Sequence, residues 1–325
     1  MKQSNVLLYV IHLKILAMAG TVAILFSSSF AWAASGDSSV LATECQNGKL
    51  ASCVVAGVLE SKKGNKEEAA RLYKLVCDGG DLDGCFTLGV LESKKGNKEE
   101  AARLYKLACD GDVLLGCNNL GFLESKKGNK EEAARLCKLA CDGDVLLGCN
   151  NLGVLESKKG NKEEAARLYK LACDGGDLDG CFNLGVFESK KGNKEEAARL
   201  YKLACDGDVL LGCNNLGFLE SKKGNKEEAA RLCKLACDGD VLLGCNNLGV
   251  LESKKGNKEE AARLYKLACD GDVPLGCKNL LLLEADKGNK TPWWLVACLL
   301  VIALGVFLFW RRRRQYKSTN DGDLK

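Results

Sequence analysis

Residues 93–124 read SKKGNKEEAARLYKLACDGDVLLGCNNLGFLE, and this thirty-two-residue unit returns head to tail along most of the chain. Cysteines set its register as the pairs Cys45/Cys53, Cys77/Cys85, Cys109/Cys117, Cys141/Cys149, Cys173/Cys181, Cys205/Cys213, Cys237/Cys245 and Cys269/Cys277. Partners stand eight residues apart, and the first of each pair recurs every thirty-two. A fixed period of this size marks a solenoid, in which each unit buries its apolar face only against its neighbours. A longer period lies above it. Residues 78–173 match 174–269 except at Thr87/Asn183 and Leu91/Phe187, so a block of three units has been copied.

Within one unit the apolar spacing is helical. Asp112 is placed to cap a first helix from Val113 to about Lys126, whose Val113, Cys117, Leu120, Gly121 and Leu123 share a face. Gly121 in mid-helix costs about 1 kcal/mol against alanine. Its recurrence at 89, 153, 185, 217 and 249 predicts a close helix crossing. Gly128 closes the helix, and Asn129 is placed to cap the next, with Glu132 three residues on as in a capping box. The second helix, Lys130 to Asp142, is expected to bury Ala133, Leu136, Cys137, Ala140 and Cys141 before Gly143 ends it and Asp144 caps the following unit. The reading is all-α: antiparallel hairpins with a cysteine pair bracketing each junction. Bridging Cys109 to Cys117 closes a small loop worth about 2.5 kcal/mol on the chain-entropy account, and asks for Cα atoms about 6 Å apart. The ends depart as caps do. Ser38 to Cys45 is a truncated second helix, and Gly271 to Gly288 a last first helix with Pro274 in its opening turn.

The net charge of +4 belongs to the tail, where Arg311 to Arg314, Lys317 and Lys325 outnumber Asp321 and Asp323. The repeats are close to neutral, which excludes a nucleic-acid-binding body. Residues 1–33 read as a signal peptide, with Lys2 and Lys14, an apolar run from Ile15 to Phe26, and Ala31-Trp32-Ala33 in small-x-small form. Residues 293–310 carry no charge and have tryptophans at both borders, the pattern of a transmembrane helix. The four arginines that follow mark 311–325 as a basic cytoplasmic tail and leave the repeats, 34–288, outside the cytoplasm. Sixteen of nineteen cysteines in spaced pairs agree with an oxidising compartment. No metal site is expected, because zinc wants close cysteine pairs or histidines and the only histidine, His12, lies in the signal segment.

The run from Gly148 through Asp174, with Asn151-Leu152-Gly153 on the first helix and Ala165-Ala166 and Tyr169 on the second, resembles the Sel-one-like repeat, a relative of the tetratricopeptide repeat. The cysteine pair with seven residues between resembles the bacterial cysteine-rich Hcp family, described as β-lactamase-like. The resemblance implies disulfide-tied α/α hairpins in a right-handed superhelix, a peptide-binding concave face, and β-lactam binding or hydrolysis as a family label. Taken with the two ends, it places the protein in a bacterial inner membrane as a single-pass protein, its repeats facing the periplasm or cell exterior.

The residues offer that label little. A serine acyl-enzyme wants Ser-x-x-Lys, Ser-Asp-Asn and Lys-Thr-Gly, whereas Ser157-Lys158-Lys159-Gly160 ends in glycine. No catalytic residue and no cofactor is assigned. For binding, Asn119, Asn151, Asn183, Asn215, Asn247 and Asn279 recur with Thr87 in the same place, and each amide could serve an extended peptide or tie its own helix to a neighbouring turn. Cys137 and Cys233 replace the tyrosine seen at Tyr105, Tyr169 and Tyr201, as buried thiols or as bridges between chains. The expected function is a membrane-anchored scaffold for a protein or peptide partner. The alternatives are a β-lactam-binding or hydrolysing protein, and a passive spacer or surface antigen.

Overall fold

Two kinds of helix alternate through the computed structural model, which describes residues 38–286. In chain order the described residues form α1 (Ser38–Gln46), α2 (Leu50–Lys63), α3 (Lys66–Asp78), α4 (Leu82–Lys95), α5 (Lys98–Asp110), α6 (Leu114–Lys127), α7 (Lys130–Asp142) and α8 (Leu146–Lys159). They continue as α9 (Lys162–Asp174), α10 (Leu178–Lys191), α11 (Lys194–Asp206), α12 (Leu210–Lys223), α13 (Lys226–Asp238), α14 (Leu242–Lys255), α15 (Lys258–Asp270) and α16 (Pro274–Asp286). Even-numbered members are the A helices of the hairpins and odd-numbered members the B helices. The chain divides into two compact units between Leu184 and Gly185. Among the described residues no helix is long and apolar enough to cross a membrane. The expected signal peptide, the 293–310 span and the basic tail lie outside the described residues.

Each B helix buries the set its spacing predicts: in α7 these are Ala133, Leu136, Cys137, Ala140 and Cys141. Its A-helix partner α6 buries Gly116, Cys117, Leu120, Gly121 and Leu123. The mid-helix glycines mark the crossing: a Cβ on Gly121 would stand 2.9 Å from Cys137 Sγ and 3.1 Å from the Ala133 carbonyl oxygen. Only hydrogen fits there, so the loss of helix propensity is offset by closer packing.

The turns differ from the sequence reading in two places. Gly128 does end α6 in the left-handed region (φ 97°), but the capping box beyond it does not form. The Asn129 side chain makes no cap bond; its Nδ2 donates back to Glu124 Oε2 at 2.5 Å. Glu132 instead receives the Arg135 guanidinium. The bonds from Asn129 and then Lys127 hold the Glu124 carboxyl below its ordinary value. At the other turn Asp112 and Asp144 are not caps. They occupy the left-handed region (φ 65° and 63°), and the Val113 N–H closes on the Ala108 carbonyl, the backbone motif that usually takes glycine. The N-cap falls one residue later, on Val113 and Val145, which have no side-chain acceptor. Two junctions show what the aspartate would do if displaced by one. In Gly80-Asp81 and Gly176-Asp177 the glycine takes the positive φ. Asp81 then accepts from the Asp83 and Gly84 N–H groups, and Asp177 from Gly180.

All eight cysteine pairs are bonded, each joining the end of a B helix to the next A helix. They are Cys45–Cys53, Cys77–Cys85, Cys109–Cys117 and Cys141–Cys149, then Cys173–Cys181, Cys205–Cys213, Cys237–Cys245 and Cys269–Cys277. Cα separations run from 4.5 to 4.7 Å, tighter than the 6 Å expected. In every pair but Cys45–Cys53, where Ser52 stands, a glycine precedes the second cysteine and permits the approach: a Cβ on Gly116 would meet Ala108 Cβ at 2.8 Å and the Tyr105 carbonyl oxygen at 2.9 Å.

The bridges join successive hairpins, as expected, and lie deep in the fold. Cys53, Cys85, Cys117, Cys149, Cys181, Cys213 and Cys245, the A-helix members, are at 0–2% exposure and belong to the hydrophobic core. None of these seven can contact a partner, so their role is structural and they drop out of any binding site. Burial follows from position: the second cysteine lies one turn into its A helix, on the face that packs against the B helices. Cys277, whose A helix is the last one described, is half-buried.

Candidate functional site

An A helix has one side against its B helices, one against the neighbouring A helices, and one toward solvent. Asn118, Asn150, Asn214 and Asn246 take the second of these and are buried, Asn118 and Asn214 at 1% exposure. The asparagines singled out from the sequence follow directly and are half-buried. The structure brings the two sets together. Asn151 Nδ2 donates to Asn118 Oδ1 and Asn183 to Asn150 (2.8 Å each). Asn247 donates to Asn214 and Asn279 to Asn246 (2.9 Å each). The buried amides donate in turn to their sequence neighbours, Asn118 to Asn119 and Asn214 to Asn215. The outcome is an amide ladder from hairpin to hairpin rather than a bond to the adjoining turn.

The ladder is interrupted where phenylalanine replaces the buried asparagine, at Phe86 and Phe182. There the next amide turns to a tyrosine: Asn119 bonds the Tyr105 phenol and Asn215 the Tyr201 phenol, with Ser93 and Ser189 as further partners. Each ladder therefore starts in one copy of the three-unit block and ends on the first half-buried asparagine after it, Asn183 or Asn279, and lies wholly within one of the two compact units. Thr87 stands outside, its hydroxyl donating to the Asp83 carbonyl of its own helix. The corresponding Tyr73 hydroxyl is buried without a partner, and burial pushes it up to about 12. The Ser157 hydroxyl bonds the Tyr169 phenol, while Lys158 is exposed. Asn150→Ala should destabilise the protein by about 1–3 kcal/mol in urea titrations, because it orphans the Asn183 donor. Lys158→Ala should stay within about 0.5 kcal/mol.

Cys137 and Cys233 sit at 1% exposure with their sulfurs against the glycines of the preceding A helices. A bridge to another chain from either would require the hairpin to open. Burial lifts both thiols from 9.0 to about 11, so the folded protein holds these protons more tightly than the unfolded chain. The associated stability is complete below about pH 9 and is lost as pH rises toward 11. Denaturation midpoints should fall over that window, and less steeply in Cys137→Ala/Cys233→Ala.

The solvent side of the A helices carries the candidate face. On α12, Leu211, Asn215, Phe218 and Lys222 follow the spacing i, i+4, i+7, i+11 and form one stripe. Leu211 and Phe218 are about half exposed (46% and 50%), and Leu275 and Leu282 on α16 are at 52% and 59%. Isolated exposed leucines are ordinary, but exposed apolar side chains on three successive A helices, with Leu243 of α14 (37%) between these, are not. Leu107 and its equivalents every thirty-two residues are also exposed on the B helices. There they are interleaved with ion pairs such as Arg103–Glu100 and Lys106–Asp110.

Comparison with protein families decides what kind of repeat this is. The Sel1 repeat model matches seven consecutive stretches: residues 49–81, 84–113, 114–145, 146–177, 178–209, 210–241 and 242–273. The chain belongs to the Sel1 repeat family. Among solved structures, these Sel1 repeats are similar to c5321, a protective antigen present in uropathogenic Escherichia coli strains displaying an SLR fold (TM-score 0.67, 19% identity, 77% of this chain). The chain spans 60% of that protein's length. They are also similar to a Sel1 repeat protein from Oxalobacter formigenes (TM-score 0.57, 20% identity, 66% of this chain and 96% of that one). At these identities the likeness is one of fold. No curated protein sequence matches.

Proposed function

We propose that the protein is a membrane-anchored, extracytoplasmic scaffold that binds a protein or peptide partner along the solvent side of its A helices. The observation that carries this reading is the pairing of exposed apolar side chains with half-buried amides on α6, α12, α14 and α16. The amide ladder holds those side chains in register, and the disulfides keep successive hairpins from parting. Anchoring rests on the 293–310 segment with its arginine border, and placement outside the cytoplasm on that border together with the cysteine pairs. The spacer or surface-antigen reading gains from the Escherichia coli antigen only a shared fold, and no residue arrangement favours β-lactam chemistry over partner binding.

A photo-crosslinking amino acid at Phe218, on the A face, and at Leu235, on the B face, tests the proposal in native membranes. Capture of a discrete partner from position 218 and not from 235 is the expected result. Its loss in Asn151→Ala/Asn183→Ala/Asn215→Ala at a temperature where the variant is still folded by circular dichroism would place the amides in the contact. Equal capture from both faces, or none from either, would contradict it.

A further inference from the structure

Charge is distributed unequally between the two kinds of helix. The B helices match theirs, as in Arg135–Glu132 and Lys138–Asp142. Each A helix from α2 to α14 ends in two lysines. The second is paired, Lys127 with Glu124 at 2.9 Å and Lys223 with Glu220 at 3.0 Å. The first, represented by Lys126, Lys222 and Lys254, is exposed and has no ion pair among the described residues. Lys126 and Lys222 lie over the rings of Phe122 and Phe218 at 5.2 and 5.3 Å. Within each compact unit, unmatched positive charge thus borders the apolar side chains of the A face, one lysine to each A helix before α16.

The spacing narrows the occupant further. Packed helices stand about 8–10 Å apart. An extended polyproline-type chain rises about 3.1 Å per residue and returns a side chain to the same side every third residue, after roughly 9 Å. One helix therefore meets one three-residue period of such a chain. We propose that the A face takes an extended acidic peptide in which a carboxylate recurs every third residue against the lysine row, with apolar side chains between them on the leucine and phenylalanine rows. The inference rests on the reading of the A face as the interaction site and names the chemistry of its partner.

Fluorescein-labelled peptides of five Glu-Leu-Pro triplets, five Lys-Leu-Pro triplets, and a period-four peptide of the same acidic composition test this by anisotropy on the full-length protein in detergent. The acidic period-three peptide should bind about tenfold more tightly than either of the others and weaken as salt rises. Lys222→Ala/Lys254→Ala should loosen it about fivefold with an unchanged melting temperature, since both side chains are exposed. Equal binding of the lysine peptide, indifference to the lysine substitutions, or no binding of any peptide would overturn the assignment. If crosslinking at Phe218 still captures a partner while the acidic peptides fail, the interaction face stands and its acidic partner falls. If both fail, both readings fall.

Discussion

Gly148→Ala is expected to destabilise the protein by about 3 kcal/mol, although alanine is the better helix former by about 1 kcal/mol. The added Cβ would stand 2.7 Å from Ala140 Cβ, 2.9 Å from the Cys141 nitrogen and 3.0 Å from the Cys137 carbonyl oxygen. Two of those three atoms are backbone and cannot turn aside as a side chain would. Relief requires α8 to move away from α7 at the point where Cys141 and Cys149 are joined. The contrast is Gly160, where nothing lies within 4 Å of a Cβ and the objection is a φ of 96° instead. Gly160→Asn should therefore be the milder change, because asparagine tolerates the left-handed region. Equal urea midpoints for the two variants would refute the packing role assigned to the glycine.

Cys141→Ser/Cys149→Ser is the second large effect, a loss of about 2.5 kcal/mol for a closed loop of this length. The pair sits between two helices that pack closely on each other, with Cys137, Cys141, Cys149 and Leu152 in one cluster, so the loss should be local. Hydrogen exchange should quicken first in α7 and α8, while α2 and α3 keep their protection, because contacts in a repeat array run only between neighbours. A uniform increase along the chain, or no change in stability, would count against the staple.

Much of this architecture is legible in the residues, and the exceptions have physical causes. The thirty-two-residue period, the cysteine pairs and the buried set of each B helix follow from spacing alone. The depth of the bridges does not, because pairing is read from separation along the chain, whereas the burial of Cys85 or Cys213 depends on how the hairpins stack. The buried asparagines were missed because a polar residue is ordinarily assigned to the surface. A signal was nevertheless present: consecutive side chains on a helix diverge by about 100°, so Asn118 and Asn119 take different sides of it. The exchange of the first asparagine for phenylalanine at Phe86 and Phe182 is a further signal, since an apolar ring is accepted at that position. Turn chemistry was misread by one residue. Asp112 resembles a cap in sequence, yet the six-residue closure at the end of α5 takes it into the left-handed region and passes the N-cap to Val113. The face that contacts a partner is the least legible part, since exposure distinguishes Phe218 from the buried Leu216 and Leu219 only once the helices are packed.

Alkylation mass spectrometry, applied without reductant to protein taken from its native source, tests the central claim that sulfur bridges tie each hairpin to the next. The sixteen paired cysteines from Cys45 to Cys277 should remain unlabelled, even after unfolding, and yield eight linked peptides with the i, i+8 connectivity. Cys137 and Cys233 should label only after unfolding. Free thiols at the paired positions, or linkages between other partners, would contradict the account.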